Sequence, residues 1–326
     1  MKRFLMSIIS PLRSPLLILF IALLYYIFIY QDITGDLGRI GQIVFSKEYR
    51  LQEKFQNTSP LTMNWCDEKS FKSYNVIFIG DSFTKLTLYP NYLSEIIKMP
   101  TADYFADNIE TPEETLVALC NANIEMPTVI VLESVERDFI TRLCALNFSS
   151  NKQARASVYK SGIEKQTDFC TFYKNILFDN HSVLHLPLHD SLFTCPQKEK
   201  DLFFYYSDLI YPNEEQIKIA ISKLNALFQL SRENGAYLFY VVAADKYDVY
   251  QEFATKKDFS RKKLLDYFIE YENNNPFFVN TKTVLEIKAT QGVKDLYYSD
   301  DTHWSPIGAK TVAEEIARRM DSLGII

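Results

Sequence analysis

The feature that most restricts the fold is a set of short runs of residues that are apolar almost throughout. They are "NVIFI" at residues 75–79, "PTVIVLE" at 127–133 and "AYLFYVVA" at 236–243. A strand exposed on one face alternates apolar and polar residues, whereas a strand in a parallel sheet is covered on both faces and is apolar along its length. These runs therefore predict buried parallel strands.

Helical patterns separate the strands. Residues 111–123 have a helical pattern, Asn213 and Gln216 form a capping box before an amphipathic run, and Ser305 opens a last helix that continues through Met320. Strands that alternate with helices fold into layers around one sheet. The sequence therefore predicts a doubly wound, mainly parallel α/β sheet with helices on both faces, which is a three-layer, flavodoxin-like fold.

An uncharged apolar run at residues 15–30 is preceded by basic residues and followed by acidic ones. This charge order places the N-terminus in the cytoplasm, and the lack of a small-residue cleavage site favours an uncleaved anchor over a signal peptide. We expect residues 1–31 to be a cytoplasmic tip and one transmembrane helix and residues 32–70 to be a stalk or peripheral wrap. The folded domain would span residues 71–326, with residues 140–212 as a lid or insertion.

Composition limits both the number of domains and the kinds of molecule that the protein can bind. The chain has 326 residues, of which 47% are hydrophobic, enough for one sizeable core. It carries 41 acidic and 35 basic residues with no long basic tract, which argues against nucleic-acid binding. Its five cysteines fit either one or two disulfides or buried thiols, and the odd number leaves at least one unpaired.

Ser82 directly follows the first predicted strand, in "VIFIGDSF". Ligands bind beyond the carboxyl ends of the strands in such a sheet, so a serine there can be a nucleophile whose backbone N–H faces an oxyanion. Gly-Asp-Ser is also typical of an ordinary helix cap. A catalytic role for Ser82 requires a base elsewhere in the chain.

His303 is the best candidate for that base. It lies in "YYSDDTHWSPIGA", two residues after Asp301 and three after Asp300, and a carboxylate at this distance can fold back to orient the imidazole ring. The other histidines, at 181, 185 and 189, have the spacing of a metal site on a helix. Because Pro187 interrupts that helix, we expect a loop or edge strand and no metal site.

Several of these segments resemble a known family. "FIGDSF" and "DDTHWSPIGA" look like the first and last blocks of the SGNH hydrolase superfamily. More narrowly, the chain is similar to the SGNH-like domain of the periplasmic alginate O-acetyltransferases AlgX and AlgJ in three segments, "VIVLESVERDF", "YVVAADKYDVY" and "DTHW". The resemblance covers most of residues 75–320 except the middle.

The resemblance implies a catalytic triad. Ser82 would be the nucleophile, His303 the general base and Asp301 the orienting carboxylate; the wider superfamily pattern points instead to Asp300. In the alginate enzymes the Asp-x-His block precedes the serine, whereas here the serine comes first. By this resemblance the chain looks circularly permuted relative to them, and the identity of the substrate does not carry over.

The oxyanion hole departs from the family pattern. The backbone N–H of Ser82 is the expected donor, with Asn108 as a second candidate, but Glu133, Glu136 and Arg137 stand where the superfamily has an asparagine block. Arg137 either anchors a substrate group such as a sugar carboxylate or forms a structural ion pair.

The resemblance predicts a membrane-anchored, extracytoplasmic O-acetyltransferase of a polysaccharide or other envelope glycan. It needs no cofactor, its acetyl donor is unknown, and its expected partner is a multi-spanning membrane acyltransferase. The same triad also fits a carbohydrate esterase. A third interpretation is a non-catalytic glycan-binding or assembly protein. The expected location is the cytoplasmic membrane, with the folded domain in the periplasm or outside the cell.

Overall fold

The computed structural model describes residues 19–23, 64–66, 68–104, 111–122, 124–149, 183–195, 198–256, 259 and 264–326. Residues 19–23 are helical, but most of the predicted anchor over residues 15–30 lies outside these ranges. Within them, no helix has both the length and the apolar character needed to cross a bilayer.

Eight strands form two sheets in the described part of the chain. They are β1 (Asn64–Trp65), β2 (Val76–Ile79), β3 (Thr101–Asp103), β4 (Val129–Val135), β5 (Val183–Pro187), β6 (Asp201–Tyr205), β7 (Tyr237–Ala243) and β8 (Phe278–Asn280). The main sheet has the order β1-β3-β2-β4-β7-β8, and all its strand pairs are parallel. Strands β5 and β6 form a separate antiparallel pair. The predicted buried parallel strands are β2, β4 and β7.

The helices pack in groups against the sheet. They are α1 (Ser82–Lys85), α2 (Leu88–Ile97), α3 (Pro112–Asn121), α4 (Glu136–Ala145), α5 (Glu214–Glu233), α6 (Lys246–Tyr250), α7 (Ile269–Asn274), α8 (Thr281–Thr290) and α9 (Pro306–Ser322). Helix α2 packs on α9, and α5 packs on α4 and α3. Every residue of β2 and β4 is buried, so both faces of the sheet are covered. The mainly parallel α/β fold is therefore confirmed.

The predicted helix boundaries follow from side-chain caps. Thr111 and Glu114 cap α3 reciprocally, and Asn213 and Gln216 do the same for α5. The hydroxyl of Ser305 accepts hydrogen bonds from the first turn of α9. These caps satisfy backbone N–H groups that have no partner within the helix, which explains why the helices begin where the sequence predicts.

The strand order places the candidate nucleophile at a switch point. From β2 the chain steps outward to β3 and then returns to the other side of β2 as β4, which gives the flavodoxin-like order in the five strands that follow β1. At such a reversal the connections leave the carboxyl edge in opposite directions and open a crevice. Ser82 follows β2 immediately beyond that edge.

The sheet begins earlier in the chain than predicted. Asn64 and Trp65 pair with Ala102 and Asp103 of β3, so part of the segment assigned to the stalk is an edge strand. Two residues of parallel pairing have no periodicity of their own, and a strand this short cannot be recognised from sequence. The pairing covers backbone groups of β3 that would otherwise form an exposed edge.

The predicted lid or insertion is partly built into the domain. Leu186, Phe193 and Phe204 are buried in the main core, and the Phe204 ring stacks on Tyr247 with 4.5 Å between ring centroids. The described parts of residues 140–212 include the C-terminal part of α4 and the β5–β6 pair, whereas residues 150–182 are outside the described ranges.

The predicted edge strand contains His185, whose Nε2 lies 2.8 Å from Asp201 Oδ1 across the β5–β6 pair. His189 follows that strand, and His181 lies outside the described residues. No group of three His, Cys, Asp or Glu side chains in the described ranges could hold a metal ion.

The described cysteines include three free thiols, Cys120, Cys144 and Cys195. Burial raises the pKa of the Cys120 and Cys195 thiols to about 12, so neither is a thiolate near neutral pH. Cys170 is not among the described residues. The buried-thiol interpretation fits Cys120 and Cys195.

Candidate active site

The turn that carries Ser82 requires a glycine before it. A Cβ atom on Gly80 would lie 2.0 Å from Thr84 Oγ1 and 2.7 Å from Glu133 Oε2, well inside van der Waals contact. The absence of a side chain at residue 80 lets the first turn of α1 fold back onto the end of β4. The glycine of Gly-Asp-Ser thus allows the close packing that fixes Ser82.

Glu133 anchors this turn from the neighbouring strand. Its fully buried Oε2 accepts hydrogen bonds from the backbone N–H of Asp81 at 3.0 Å, the N–H of Thr84 at 3.2 Å and the Thr84 hydroxyl at 3.0 Å. Burial, together with the nearby Asp81 carboxylate, raises the pKa of Glu133 well above its usual range. Glu133 therefore binds backbone groups on both sides of Ser82.

Asp81 is held by an ion pair and does not act as a helix cap. It occupies the position before α1, but its side chain makes no capping hydrogen bond. Its Oδ2 instead accepts a hydrogen bond from Arg142 Nη1 at 2.9 Å, and the same guanidinium contacts Ser134 and Asp138. The helix-cap interpretation of Gly-Asp-Ser therefore does not describe the role of Asp81.

The second half of the site is the loop before α9. Asp301 Oδ1 lies 2.5 Å from His303 Nδ1 and also accepts a hydrogen bond from the backbone N–H of His303 at 3.0 Å. With the ring proton on Nδ1, Nε2 is the basic nitrogen. The contact that orients His303 comes from Asp301, two positions earlier, and Asp300 lies next to it in the same turn.

A buried lysine fixes this loop. Lys246, the first residue of α6 after β7, donates hydrogen bonds from Nζ to the carbonyl oxygens of Tyr298 at 2.7 Å, Ser299 at 2.9 Å and Asp301 at 3.3 Å. Three backbone carbonyls around one ammonium group hold the chain in a tight curve. Lys246 thereby positions the segment that bears both Asp301 and His303.

The nucleophile turn and the histidine loop meet through aromatic packing. The ring of Phe83, next to Ser82 in sequence, lies 4.8 Å from the His303 ring and 4.5 Å from the Trp304 ring, measured between centroids. Tyr89 of α2 also packs on Trp304, with 5.8 Å between ring centroids. The structure therefore brings the half-buried Ser82 and the Asp301–His303 pair into one neighbourhood, although 221 positions separate Ser82 and His303 in the sequence.

The remaining candidates are placed differently. Arg137 Nη1 lies 2.8 Å from Asp245 Oδ1 and 3.6 Å from Asp208 Oδ1, and its guanidinium stacks over the Tyr205 ring. Burial lowers the pKa of Arg137, but the carboxylates of Asp245 and Asp208 raise it by more. The charge of Arg137 therefore belongs to an internal ion pair. Asn108 lies outside the described residues.

Two positioning residues were not assigned these roles from sequence. Glu133 and Lys246 both bind backbone groups. Such contacts require no particular side chain in the partner segment, so no pattern of residue types reveals them in the sequence. The available signal was a charged residue at the end of an otherwise apolar buried strand, as in "VIVLE" and "VVAADK". Such residues are rarely buried without a specific partner.

Comparison with known families gives a match to part of the chain. Residues 198–325 match the SGNH hydrolase-like domain of the acetyltransferase AlgX. The C-terminal part of this chain resembles AlgX. The matched residues include Lys246, Asp301 and His303, and Ser82 lies before them. The predicted AlgX-like SGNH resemblance is thereby confirmed. No curated protein and no solved structure matches the chain.

Proposed function

We propose that the protein is an O-acetyltransferase of a polysaccharide or envelope glycan that works through an acyl-enzyme on Ser82. The observation that carries this proposal is the packing of Phe83 on His303, which sets the Gly80-Asp81-Ser82 turn beside an Asp301–His303 pair at the carboxyl edge of the sheet. The match to an acetyltransferase domain supports transfer of an acetyl group.

In the first half-reaction, Nε2 of His303 removes the proton from the Ser82 hydroxyl as Oγ attacks the acetyl carbonyl of the donor. The tetrahedral intermediate collapses when His303 returns that proton to the leaving group. Asp301 stabilises the imidazolium through Nδ1. The Ser82 oxygen then carries the acetyl group, and the donor departs with the proton.

In the second half-reaction, a sugar hydroxyl attacks the acetyl-serine ester. His303 takes the sugar proton and transfers it to Ser82 Oγ as the ester bond breaks, which restores the enzyme. The N–H groups of Asp81 and Thr84 already donate hydrogen bonds to Glu133. We therefore propose the N–H of Ser82 as the oxyanion donor. Asn108 stays a candidate for the second donor.

We further propose that residues 15–30 anchor the enzyme in the cytoplasmic membrane, with the domain on the extracytoplasmic side. A multi-spanning acyltransferase would deliver the acetyl group across that membrane. The charge order around the apolar run supports the anchor. The resemblance to periplasmic acetyltransferases supports the partner.

The test uses full-length protein in detergent with p-nitrophenyl acetate, with and without a glycan oligosaccharide as acceptor. Ser82→Ala and His303→Gln should each lower acetyl release by roughly 10²-fold or more, since each removes a group on which the chemical step depends. His185→Gln is a matched control, because His185 also pairs with an aspartate but lies on the β5–β6 pair.

Mass added to the oligosaccharide in the wild-type reaction supports the transferase. Serine-dependent acetyl release without any acetylated acceptor would support the carbohydrate esterase instead. Equal rates in the wild type and both variants would overturn the triad and favour a non-catalytic glycan-binding or assembly role.

A further inference from the structure

A cleft of about 770 Å³ opens at the edge of the sheet opposite to the candidate active site. It lies where β7 begins and just before β8, between the C-terminal half of α5 and helix α7. Strand β7 has seven residues, which at about 3.3 Å each separate the two edges by roughly 20 Å. We call this the amino-edge cleft, and it is distinct from the Ser82 site.

The wall of the amino-edge cleft includes an exposed aromatic platform. The rings of Tyr237 and Phe277 stack with centroids 5.8 Å apart and an interplanar angle of 7°. Tyr237 is 47% exposed although it begins a strand whose other six residues are buried. Stacking on Phe277 limits the motion of the Tyr237 ring, so its exposed surface is pre-organised for a flat apolar partner.

Polar groups converge on the same cleft. The hydroxyl of Tyr271 donates to Asn225 Oδ1 at 2.8 Å and accepts from Asn275 Nδ2 at 3.3 Å. These bonds orient the Asn225 amide on the exposed surface of α5, so that its NH₂ group can donate to a bound molecule. Arg232 and Glu233 are both exposed and contribute one charge of each sign to the lining.

This combination favours one chemical class of ligand. A sugar ring offers an apolar C–H face to an aromatic ring and hydroxyl groups to amide side chains, which matches the Tyr237 platform and the Asn225 amide. A phosphorylated ligand would need an excess of positive charge, whereas Arg232 is balanced by Glu233. We propose that the amino-edge cleft binds a segment of a glycan chain.

The proposal rests on the proposed function, since the bound glycan would be another stretch of the polymer that is acetylated at Ser82. A polymer held at one edge of the sheet raises the local concentration of its hydroxyl groups at the other edge, provided that the chain can span the distance. Binding in the cleft should therefore lower KM for long acceptors and leave kcat with small esters unchanged.

The experiment measures binding of three probes to the full-length protein by titration calorimetry: pentasaccharides of β-1,4-linked glucose, of N-acetylglucosamine and of a uronic acid. We expect saturable binding of at least one probe, weakened about tenfold or more by Tyr237→Ala and by Asn225→Ala. Tyr267→Ala is the matched control, because Tyr267 is a similarly exposed tyrosine that does not line the cleft.

The proposal is overturned if none of the three probes binds saturably, or if Tyr267→Ala weakens binding as much as Tyr237→Ala. Release of p-nitrophenol from the small ester is measured in parallel and does not involve the glycan. If the wild-type protein binds none of the probes but shows normal Ser82-dependent release, the cleft proposal alone is rejected. Probe binding without Ser82-dependent release of p-nitrophenol would reject the proposed enzymatic activity. It would not affect the proposal that the amino-edge cleft binds a glycan.

Discussion

At the scale of single residues, the Gly-Asp-Ser sequence has a separate physical reason at each position. Gly80 is required because a side chain there would overlap Thr84 and Glu133, and Asp81 is required to pair with Arg142. The Ser82 hydroxyl has no such structural role, since it makes no hydrogen bond within the described part of the chain. A hydroxyl in a half-buried turn beside an Asp–His pair fits the catalytic role that we propose for Ser82.

We expect Gly80→Ala to reduce release of p-nitrophenol by about tenfold or more, because the new methyl group displaces the turn and a small error in the position of the nucleophile is costly. Overpacking of this kind also costs roughly 1–3 kcal/mol of stability. Steady-state kinetics and urea unfolding of the purified variant measure the two effects.

Gly235→Ala provides the control for that variant. Gly235 has φ +80°, so alanine is strained there, but nothing lies within 4 Å of its added Cβ, and the residue precedes β7 at the edge of the sheet opposite to the turn. We expect it to lower stability by about 1 kcal/mol and to leave turnover unchanged. Full activity in Gly80→Ala would contradict the role assigned to the turn.

At the scale of elements, the site depends on the ends of strands, and this limits what sequence can predict. The apolar runs predict β2, β4 and β7, and the polar residues that follow them predict the neighbourhood of Ser82. Most partners of Glu133 and Lys246 are backbone atoms of segments more than 45 positions away. No pattern of residue types encodes such contacts, so their roles became visible only in the folded chain.

Lys246→Met tests the anchoring of the histidine loop. Methionine keeps the length and much of the volume of the side chain but removes the donor from three carbonyl oxygens, two of them buried. We expect a loss of stability of roughly 3 kcal/mol and a loss of turnover per folded molecule of about tenfold or more, because Asp301 and His303 are no longer held in place.

The matched control is Lys282→Met. Lys282 lies on helix α8 and is also buried, but it pairs with the carboxylates of Asp248 and Asp266. This variant should lose stability without a comparable loss of turnover per folded molecule. Equal kinetic effects in the two variants would mean that Lys246 contributes to folding in general and has no particular effect on the histidine loop.

At the scale of the whole molecule, the parallel sheet separates chemistry from our proposed glycan binding. The strand ends of β2, β4 and β7 build the candidate active site, whereas the beginnings of β7 and β8 line the amino-edge cleft. The sheet was predictable because its central strands are continuous apolar runs. The cleft was not, because its lining comes from α5, β7 and the segment around α7, and its aromatic residues look like core residues in the sequence.

The sheet also buries several carboxyl groups, which should make stability depend on pH. Asp103 ends β3 with its side chain buried, and burial raises its pKa well above the usual range. Neither of its carboxylate oxygens has a hydrogen-bond partner within the described ranges. Burial also raises the pKa of Glu113 and Glu133. The folded protein therefore keeps protons that the unfolded chain has lost above its ordinary carboxyl pKa of about 4.

Because the folded state binds more protons in that range, the contribution of these groups to the free energy of unfolding should be largest at and below about pH 4. It should fall as the pH rises toward their folded pKa values, by up to about 1.4 kcal/mol per pH unit for each proton. We expect Asp103→Asn to make this decline shallower, since asparagine does not titrate. The control variant is Asp321→Asn, which removes an exposed carboxyl group on α9 instead of a buried one. Urea unfolding at several pH values measures all three proteins, and a wild-type stability that increases with pH would contradict buried, protonated carboxyl groups at the edge of the sheet.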